Sequence, residues 1–292
     1  MRSNRSADFS ARFLNSTGHF KGKARLVHIL GRLLYSWNEG RGSIPLPDGR
    51  IMTVDLGDRI QRLMWGGEYE PDVKRCLRAL LRPGDTFVDV GAHIGFFSLI
   101  ASSAVGPAGK VYAFEADQDL FKKLQMNATD YPWLKPYWRA VWRQSGSVAF
   151  SNPHQKGESG WGKLAAVRDE GHCVSVEATS LDDWHQNLGF PAIRAIKIDA
   201  EGSEPFILEG AGRLIAKTRP FLVVELNEQL LREGGGSKKG IIAAMREKRY
   251  RIFAIRPKRL EEPSESGTWC SEVLCLPCEG VEAARKALGP LE

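Results

Sequence analysis

Two stretches of this 292-residue chain gather side chains able to do chemistry. The first is Thr86-Phe-Val-Asp-Val-Gly-Ala-His-Ile-Gly-Phe-Phe97. It is a short β-branched run with Asp89 near its end, then two glycines four positions apart, Gly91 and Gly95, then an apolar run to Val105. That order predicts a buried strand, a tight turn and a helix start, the first βα unit of a doubly wound sheet. The turn then lies at the carboxyl edge, where open α/β folds bind ligands. Glycine is expected there because a side chain would hold a ligand away from the backbone. The second stretch is Ile196-Lys-Ile-Asp-Ala-Glu-Gly-Ser-Glu204, with Lys197 inside an apolar strand and Asp199, Glu201 and Glu204 at its tip. Across neighbouring strands these should meet Asp89 and Glu225. Crowded carboxylates repel one another, a cost that functional sites tolerate. For Glu204 a purely structural role in the first turn of its helix is an equal alternative, and Lys197 equally serves to neutralise a neighbour.

The ligand follows from what the first stretch lacks. A dinucleotide fingerprint needs G-x-G-x-x-G facing a pyrophosphate, whereas here the spacing is G-x-x-x-G, with Ala92 and His93 where the second glycine should fall. The next strand, Lys110–Phe114, delivers Glu115 at the distance of an acid that grips ribose hydroxyls. Asp89 would repel a pyrophosphate but suits a cationic amino-acid group. Asp89, Gly91, Gly95 and Glu115 together favour S-adenosylmethionine over NAD. Methyl transfer from a sulfonium requires alignment of the acceptor and exclusion of water, and an alcohol acceptor must also lose its proton. Asp199 is the first candidate for that base or for holding the acceptor hydroxyl, and Glu201 the next. His93 in the glycine turn and His154 in a loop are weaker candidates.

The net charge of +6 is carried by the first 50 residues, where nine Lys/Arg face three Asp/Glu; the remaining residues balance at 32 against 32. A neutral body with a basic arm argues against an enzyme whose whole face tracks a phosphate backbone. No apolar run approaches a membrane span and no signal-peptide core follows the N-terminal basic residues, so a cytoplasmic location is expected. Five cysteines at scattered spacings do not form a disulfide framework. Cys275 and Cys278, with Cys270 nearby, superficially suggest a metal knuckle. Structural zinc wants four ligands, and thiols on a late strand are the better reading. Asp199, Glu201 and Glu225 together offer oxygen ligands to a divalent ion, though nothing in their spacing demands one, and no metal is assigned.

The elements that must position these residues alternate along the chain. A helix is expected from Lys21 to Trp37, with Leu26, Ile29, Leu30, Leu33, Leu34 and Trp37 on one face. It either caps the domain beside the substrate mouth or docks on a membrane surface or partner. A hairpin turns on Asp48-Gly49, and a helix begins near Pro71 with Val73, Cys76, Leu77, Leu80 and Leu81 buried. After Glu115 come a helix from Asp117 to Asn127, strands near Tyr137–Trp142, Val148–Ser151 and Cys173–Ala178, and a flexible insertion, 152–163, containing Trp161. Strands at Ala195–Asp199 and Phe221–Leu226 bracket a helix over Glu204–Lys217. A helix from Lys238 to Lys248 and a closing pair of strands at Arg251–Ile255 and Glu272–Leu276, joined by the loop 261–267, complete a mostly parallel α/β sheet. The expected division is an N-terminal basic extension, residues 1–65, and a catalytic domain, residues 66–292.

Taken together, Asp89-Val-Gly-Ala-His-Ile-Gly95, Phe114-Glu115, Asn127, Lys197-Ile-Asp-Ala-Glu-Gly202 with Glu204, and Pro220 with Glu225 resemble the FkbM-type S-adenosylmethionine-dependent methyltransferases. The resemblance runs from about Tyr69 to Asn227, and its most specific part is K-I-D-x-E-G-x-E. It implies a class I methyltransferase fold, Rossmann-like, with a seven-stranded doubly wound sheet, and O-methylation of a hydroxyl on a sugar, glycolipid or polyketide-like product. By the same resemblance Glu70, Asp89, Gly91 and Glu115 line the cofactor pocket, and Ala92, His93, Gly95, Ala116, Asn127 and Asp199 complete the candidate cofactor set. Lys197, Asp199, Glu201 and Glu225 form the candidate transfer set, with Glu204 lining or bracing it. His93 stands where the family usually has Asn, and Ala116 and Gln118 replace prolines common after the ribose acid. The first 45 residues and the 152–163 insertion match nothing in the family and are expected to select the acceptor. The rival readings are a nucleic-acid methyltransferase, a non-catalytic cofactor-binding scaffold and, more distantly, a dehydrogenase. The base-methylating Asn/Asp-Pro-Pro-aromatic turn is replaced here by Asp199-Ala-Glu-Gly, an acidic surface poorly suited to a phosphate-bearing acceptor.

Overall fold

The computed structural model describes residues 14, 17, 20–36, 40–151, 159, 162–165, 173–262 and 271–289. The chain forms two compact units, one from residues 1–71 with 153–161 and the other from 72–152 with 162–292.

The first unit holds helix α1 (Lys23–Tyr35), the antiparallel hairpin β1 (Arg41–Pro45) and β2 (Ile51–Asp55), and α2 (Arg59–Trp65). The hairpin turns at Asp48-Gly49 as expected; Asp48 accepts from the Arg50 N–H and Gly49 takes a positive φ of 87°. Asp58 caps α2 by accepting from the Gln61 N–H at 2.9 Å, leaving Met64 and Trp65 to close the core against Met52 and Val54. The expected apolar stripe of α1 is divided. Val27 and Gly31 face inward, Leu30 and Leu34 are half-buried, and Leu26, Ile29 and Leu33 are exposed. Trp37 lies outside the described residues.

The second unit opens with α3 (Pro71–Leu80), which buries the predicted stripe of Val73, Cys76, Leu77 and Leu80. Then follow β3 (Thr86–Val90), α4 (Phe96–Val105), β4 (Lys110–Glu115), α5 (Gln118–Asn127) and β5 (Leu134–Trp138). Next are β6 (Ala140–Val141), β7 (Gly146–Ser151), β8 (Lys163–Ala165), β9 (Cys173–Thr179) and α6 (Leu181–Asn187). The last third runs through β10 (Ala195–Ile198), α7 (Glu204–Glu209), α8 (Gly212–Thr218), β11 (Phe221–Glu225), α9 (Glu228–Glu233) and α10 (Lys238–Glu247). It ends with β12 (Tyr250–Arg256), β13 (Arg259–Glu261), β14 (Glu272–Pro277) and α11 (Val281–Leu288).

The main sheet has the order β13-β12-β14-β11-β10-β3-β4-β5. Strands β11, β10, β3, β4 and β5 are parallel; β14 runs antiparallel to both β11 and β12. This is the doubly wound class I arrangement with a short eighth strand, β13, added to the expected seven. From β3 the chain winds outward to β4 and β5, then returns to β10 and winds the other way to β11. The sheet therefore reverses between β3 and β10, and ligands of such sheets bind outside the strand ends at that reversal. Apolar residues on β3, β10 and β11, among them Val88, Ile196, Ile198, Leu222 and Val224, hold those three strands in one buried cluster.

A second, four-stranded sheet, β6-β9-β7-β8, is a structure the linear reading did not foresee. It splits the expected Tyr137–Trp142 strand in two: β5 joins the main sheet and β6 the small one. Its own core of Trp142, Phe150, Val176 and Ala178 packs against Ala116 and Phe206. The Trp142 and Phe206 rings lie 4.4 Å apart, so the small sheet is fastened to the segment after Glu115 and to α7. Cys275 is buried on β14, and burial pushes its thiol up to about 12. Cys278 is exposed, and Cys270 lies outside the described residues, as do His154, Trp161 and the 152–158 and 263–270 parts of the two loops.

Candidate active site at the sheet reversal

The turn after β3 is built from backbone before it offers any side chain. Gly91 (φ 77°) lies so close to the next strand that a Cβ there would stand 1.8 Å from the Asp199 carbonyl oxygen. A Cβ on Gly95 (φ 93°) would meet Leu124 of α5 at 2.7 Å. Both glycines are therefore required by neighbouring protein. Besides the clearance for a ligand expected of them, the first admits the β10 tip and the second lies against α5. His93 between them takes a left-handed φ of 54°, and Asn127 braces the turn by donating to the Ile94 carbonyl at 3.0 Å. The Asn127 side chain is thus placed beneath the turn as a support.

Two carboxylates flank this turn. Asp89 is 1% exposed and accepts from the Ser98 hydroxyl at 2.5 Å. Burial raises its carboxyl, opposed by the ammonium of Lys197. Its second oxygen, Oδ1, is buried with no hydrogen-bond partner. An orphaned carboxylate oxygen is costly unless something donates to it. Glu115, at the end of β4, accepts from the His93 N–H at 2.7 Å with one oxygen and from the Asp117 N–H at 2.8 Å with the other. Burial nevertheless pushes it up to about 8. Ala116, next along, lends its carbonyl to the Trp138 indole at 3.1 Å.

The transfer set lies on the other side of the reversal. Lys197 pairs in register with Asp89 on β3, so the two side chains share one face of the sheet. Its Nζ donates to Asp199 Oδ2 at 2.6 Å and sits 4.8 Å from the centre of the Phe97 ring. Burial works to raise Asp199, but the Lys197 charge and hydrogen bond prevail and hold it below the ordinary carboxylate range. Glu225 behaves oppositely. Burial, the Asp199 charge and a hydrogen bond with Asp199 all hold its proton on, with Glu201 and Glu204 adding repulsion. Oxygens of Asp199, Glu201 and Glu225 lie within 4.8 Å of one another. One buried ammonium and one retained proton offset much of that crowding.

Glu204 has a separate task. It is 1% exposed, and its Oε1 accepts from the Ala200 N–H at 2.8 Å and the Gly202 N–H at 3.3 Å. It ties down the loop carrying Asp199 and Glu201, the latter in a left-handed conformation of φ 49°. Burial pushes Glu204 up to about 7. A structural role thus explains one of its oxygens, while Oε2 is buried and unpartnered.

Of the predicted residues, Asp89, Gly91, Ala92, His93, Gly95, Glu115, Ala116 and Asn127 are assembled around β3 and β4, and Lys197, Asp199, Glu201, Glu204 and Glu225 at the tips of β10 and β11. Glu70 (φ 40°) belongs to the first unit. Ser98 and Phe97 were not foreseen. Their signal was a serine in the otherwise apolar opening of α4, and an aromatic in the helical turn that backs onto Asp89.

The model of the methyltransferase FkbM domain matches residues 89–252, more than half of the chain. The 2-O-methyltransferase NoeI of Sinorhizobium fredii is 24% identical over 179 residues, covering 55% of this chain and 71% of that protein. The ribosomal protein L11 methyltransferase of Bacillus cytotoxicus is 34% identical over 95 residues, 32% of this chain and only 28% of that one. Among solved structures, the methyltransferase FkbM of Methylobacillus flagellatus KT is 16% identical with a TM-score of 0.41. The match covers 74% of this chain and 54% of that one, so this chain spans about half of that neighbour's length.

Proposed function

Because the chain belongs to the FkbM-domain methyltransferases, we propose that it moves a methyl group from S-adenosylmethionine to a hydroxyl of a sugar, glycolipid or polyketide-like product. The observation that carries this reading is the Lys197–Asp199 pair with Glu225 beside it, directly across the sheet reversal from Asp89. That NoeI, a 2-O-methyltransferase, aligns with over half of the chain supports an oxygen acceptor.

The residues present fit the cofactor. Asp89 Oδ1 is a buried acceptor without a donor, suited to the cationic end of the ligand. Glu115, once ionised, has acceptor capacity beyond its backbone N–H partners for a ribose diol. When bound, S-adenosylmethionine supplies a methyl group on a sulfonium, whose thioether departs without needing a proton.

The protein's own work is positioning and proton handling. Lys197 keeps Asp199 ionised, so Asp199 can accept a hydrogen bond from the acceptor hydroxyl and align its oxygen. The hydroxyl turns strongly acidic only as its oxygen gains the methyl, and its proton then passes to Asp199; a weak base suffices for such a late transfer. Glu225, protonated, donates to Asp199 and fixes its orientation. Glu201 borders the same point, and Glu204 holds the loop that presents both. The acidic tip is a poor host for phosphate-bearing acceptors, which favours neutral hydroxylated ones.

The test is incubation with methyl-labelled S-adenosylmethionine and a panel of glycans, glycolipids, hydroxylated polyketides and RNA. Label retained as an alkali-stable ether on a hydroxylated product supports the reading; label confined to RNA or to amines contradicts it.

A further inference from the structure

The first unit presents a surface that includes none of the residues assigned to methyl transfer. Between Asp8 and Glu39 the chain carries Arg12, Lys21, Lys23, Arg25 and Arg32 and no acidic residue. Helix α1 lies in that interval and is locked by its inner face. Lys23 is buried, donating to the Thr17 carbonyl at 3.0 Å and pairing with Glu68 at 3.2 Å. Val27 packs where Gly66 leaves no room for a side chain, and Gly31 lies directly on Arg62. With that face fixed, the helix period turns Leu26, Ile29 and Leu33 outward. They are 39%, 51% and 62% exposed, with Arg25 and Arg32 also exposed one step round the helix. Phe20, just ahead of the helix, is exposed as well.

An exposed apolar stripe with arginines on its flank and no acidic residue on its own helix matches a specific environment. Apolar side chains enter the boundary between headgroups and acyl chains, while arginines engage anionic headgroups. Among the described residues no helix is long and apolar enough to cross a membrane, so contact at the surface is the form open to α1. We propose that α1 seats this protein on the surface of an anionic lipid bilayer, with Leu26, Ile29 and Leu33 in the interface and Arg25 and Arg32 on the headgroups. The proposal does not depend on the identity of the methyl acceptor.

The test is co-sedimentation of the full chain with phosphatidylcholine vesicles and with vesicles in which about one third of the lipid is phosphatidylglycerol, at low and raised salt. Binding to the anionic vesicles alone, weakening with salt, is the expected result. The double variants Ile29→Ser/Leu33→Ser and Arg25→Glu/Arg32→Glu, all at exposed positions, should each lower partitioning at least tenfold. Melting temperature and S-adenosylmethionine affinity should stay unchanged. Wild-type protein that fails to sediment with anionic vesicles, or does so independently of salt, overturns the proposal. So does equal sedimentation of the Ile29→Ser/Leu33→Ser variant. Self-association that the serine variant abolishes, without lipid binding, would assign the stripe to a second copy of the chain instead.

Discussion

On one side of the sheet reversal, Asp89 and Glu115 are buried carboxylates whose protons are held by desolvation, opposed at Asp89 by the Lys197 ammonium and the Ser98 hydroxyl and at Glu115 by backbone N–H groups. On the other, Asp199 is also largely buried, yet a lysine 2.6 Å away keeps it ionised and passes the burden of the retained proton to Glu225. The two sides use the same side-chain chemistry to opposite ends. In the proposed reading the first is the binding cradle, where burial outweighs the charge of the neighbouring Lys197; the second is hydrogen-bonded to that ammonium and acts on a neutral hydroxyl. Carboxylate count does not separate these roles; whether burial or the Lys197 ammonium prevails does.

The sharpest way to break the contrast is Asp199→Ala. Transfer should fall by about 10³-fold or more, the scale of losing a positioned base and its alignment, while S-adenosylmethionine affinity stays within about threefold by calorimetry. Equal losses in both would mean the two sides are one site. Gly91→Ala strikes where the sides touch, placing a methyl group against the Asp199 carbonyl in a left-handed backbone. It should cost about 2–4 kcal/mol of stability, read from denaturant midpoints at constant m. Glu115→Ala should leave the fold intact and weaken S-adenosylmethionine about 100-fold, the loss of two charge-assisted hydrogen bonds.

The smallest effect concerns pH. The Glu115 carboxyl is raised in the folded chain to about 8. The native state therefore holds more protons than the unfolded chain between the ordinary glutamate range and pH 8, and ligand-free stability should decline as pH rises through that window. Asp89, raised for the same reason, acts with the same sign. Ribose hydroxyls donate to the ionised form of Glu115, so S-adenosylmethionine affinity should tighten about tenfold from pH 7 to 9. Glu115→Gln should flatten that profile. A wild-type profile already flat would show that the cradle does not gate binding through this carboxylate.

Much of this site was legible in the sequence because it lies at strand ends. The apolar run with a terminal acid, repeated at Asp89, Glu115, Asp199 and Glu225, fixes both strand and edge, and a parallel sheet then makes β3, β10 and β11 neighbours. Long-range contacts were less legible. Gly91 and Gly95 read as room for a ligand, and the sequence could not show that the Asp199 carbonyl and Leu124, residues distant in sequence, also press on them. The small sheet was missed because β6 is two residues long and begins where β5 has barely ended. The short helix α9 was likewise hidden, six residues capped by Asn227 just ahead of the glycine run. In α1 the apolar count was right, but two kinds of apolar residue share the helix. Only packing against Gly66 and Arg62 decides which face turns inward.

In the proposed site Asp89 and Glu115 hold the cofactor while Asp199 serves the acceptor. Calorimetric titration of wild type and Asp199→Ala with S-adenosylmethionine, S-adenosylhomocysteine and NAD tests it most directly. Both adenosyl ligands should bind both proteins with closely matched affinities, and NAD should bind neither. Folded wild-type protein that binds neither adenosyl ligand, or an Asp199→Ala variant that loses them, would contradict it.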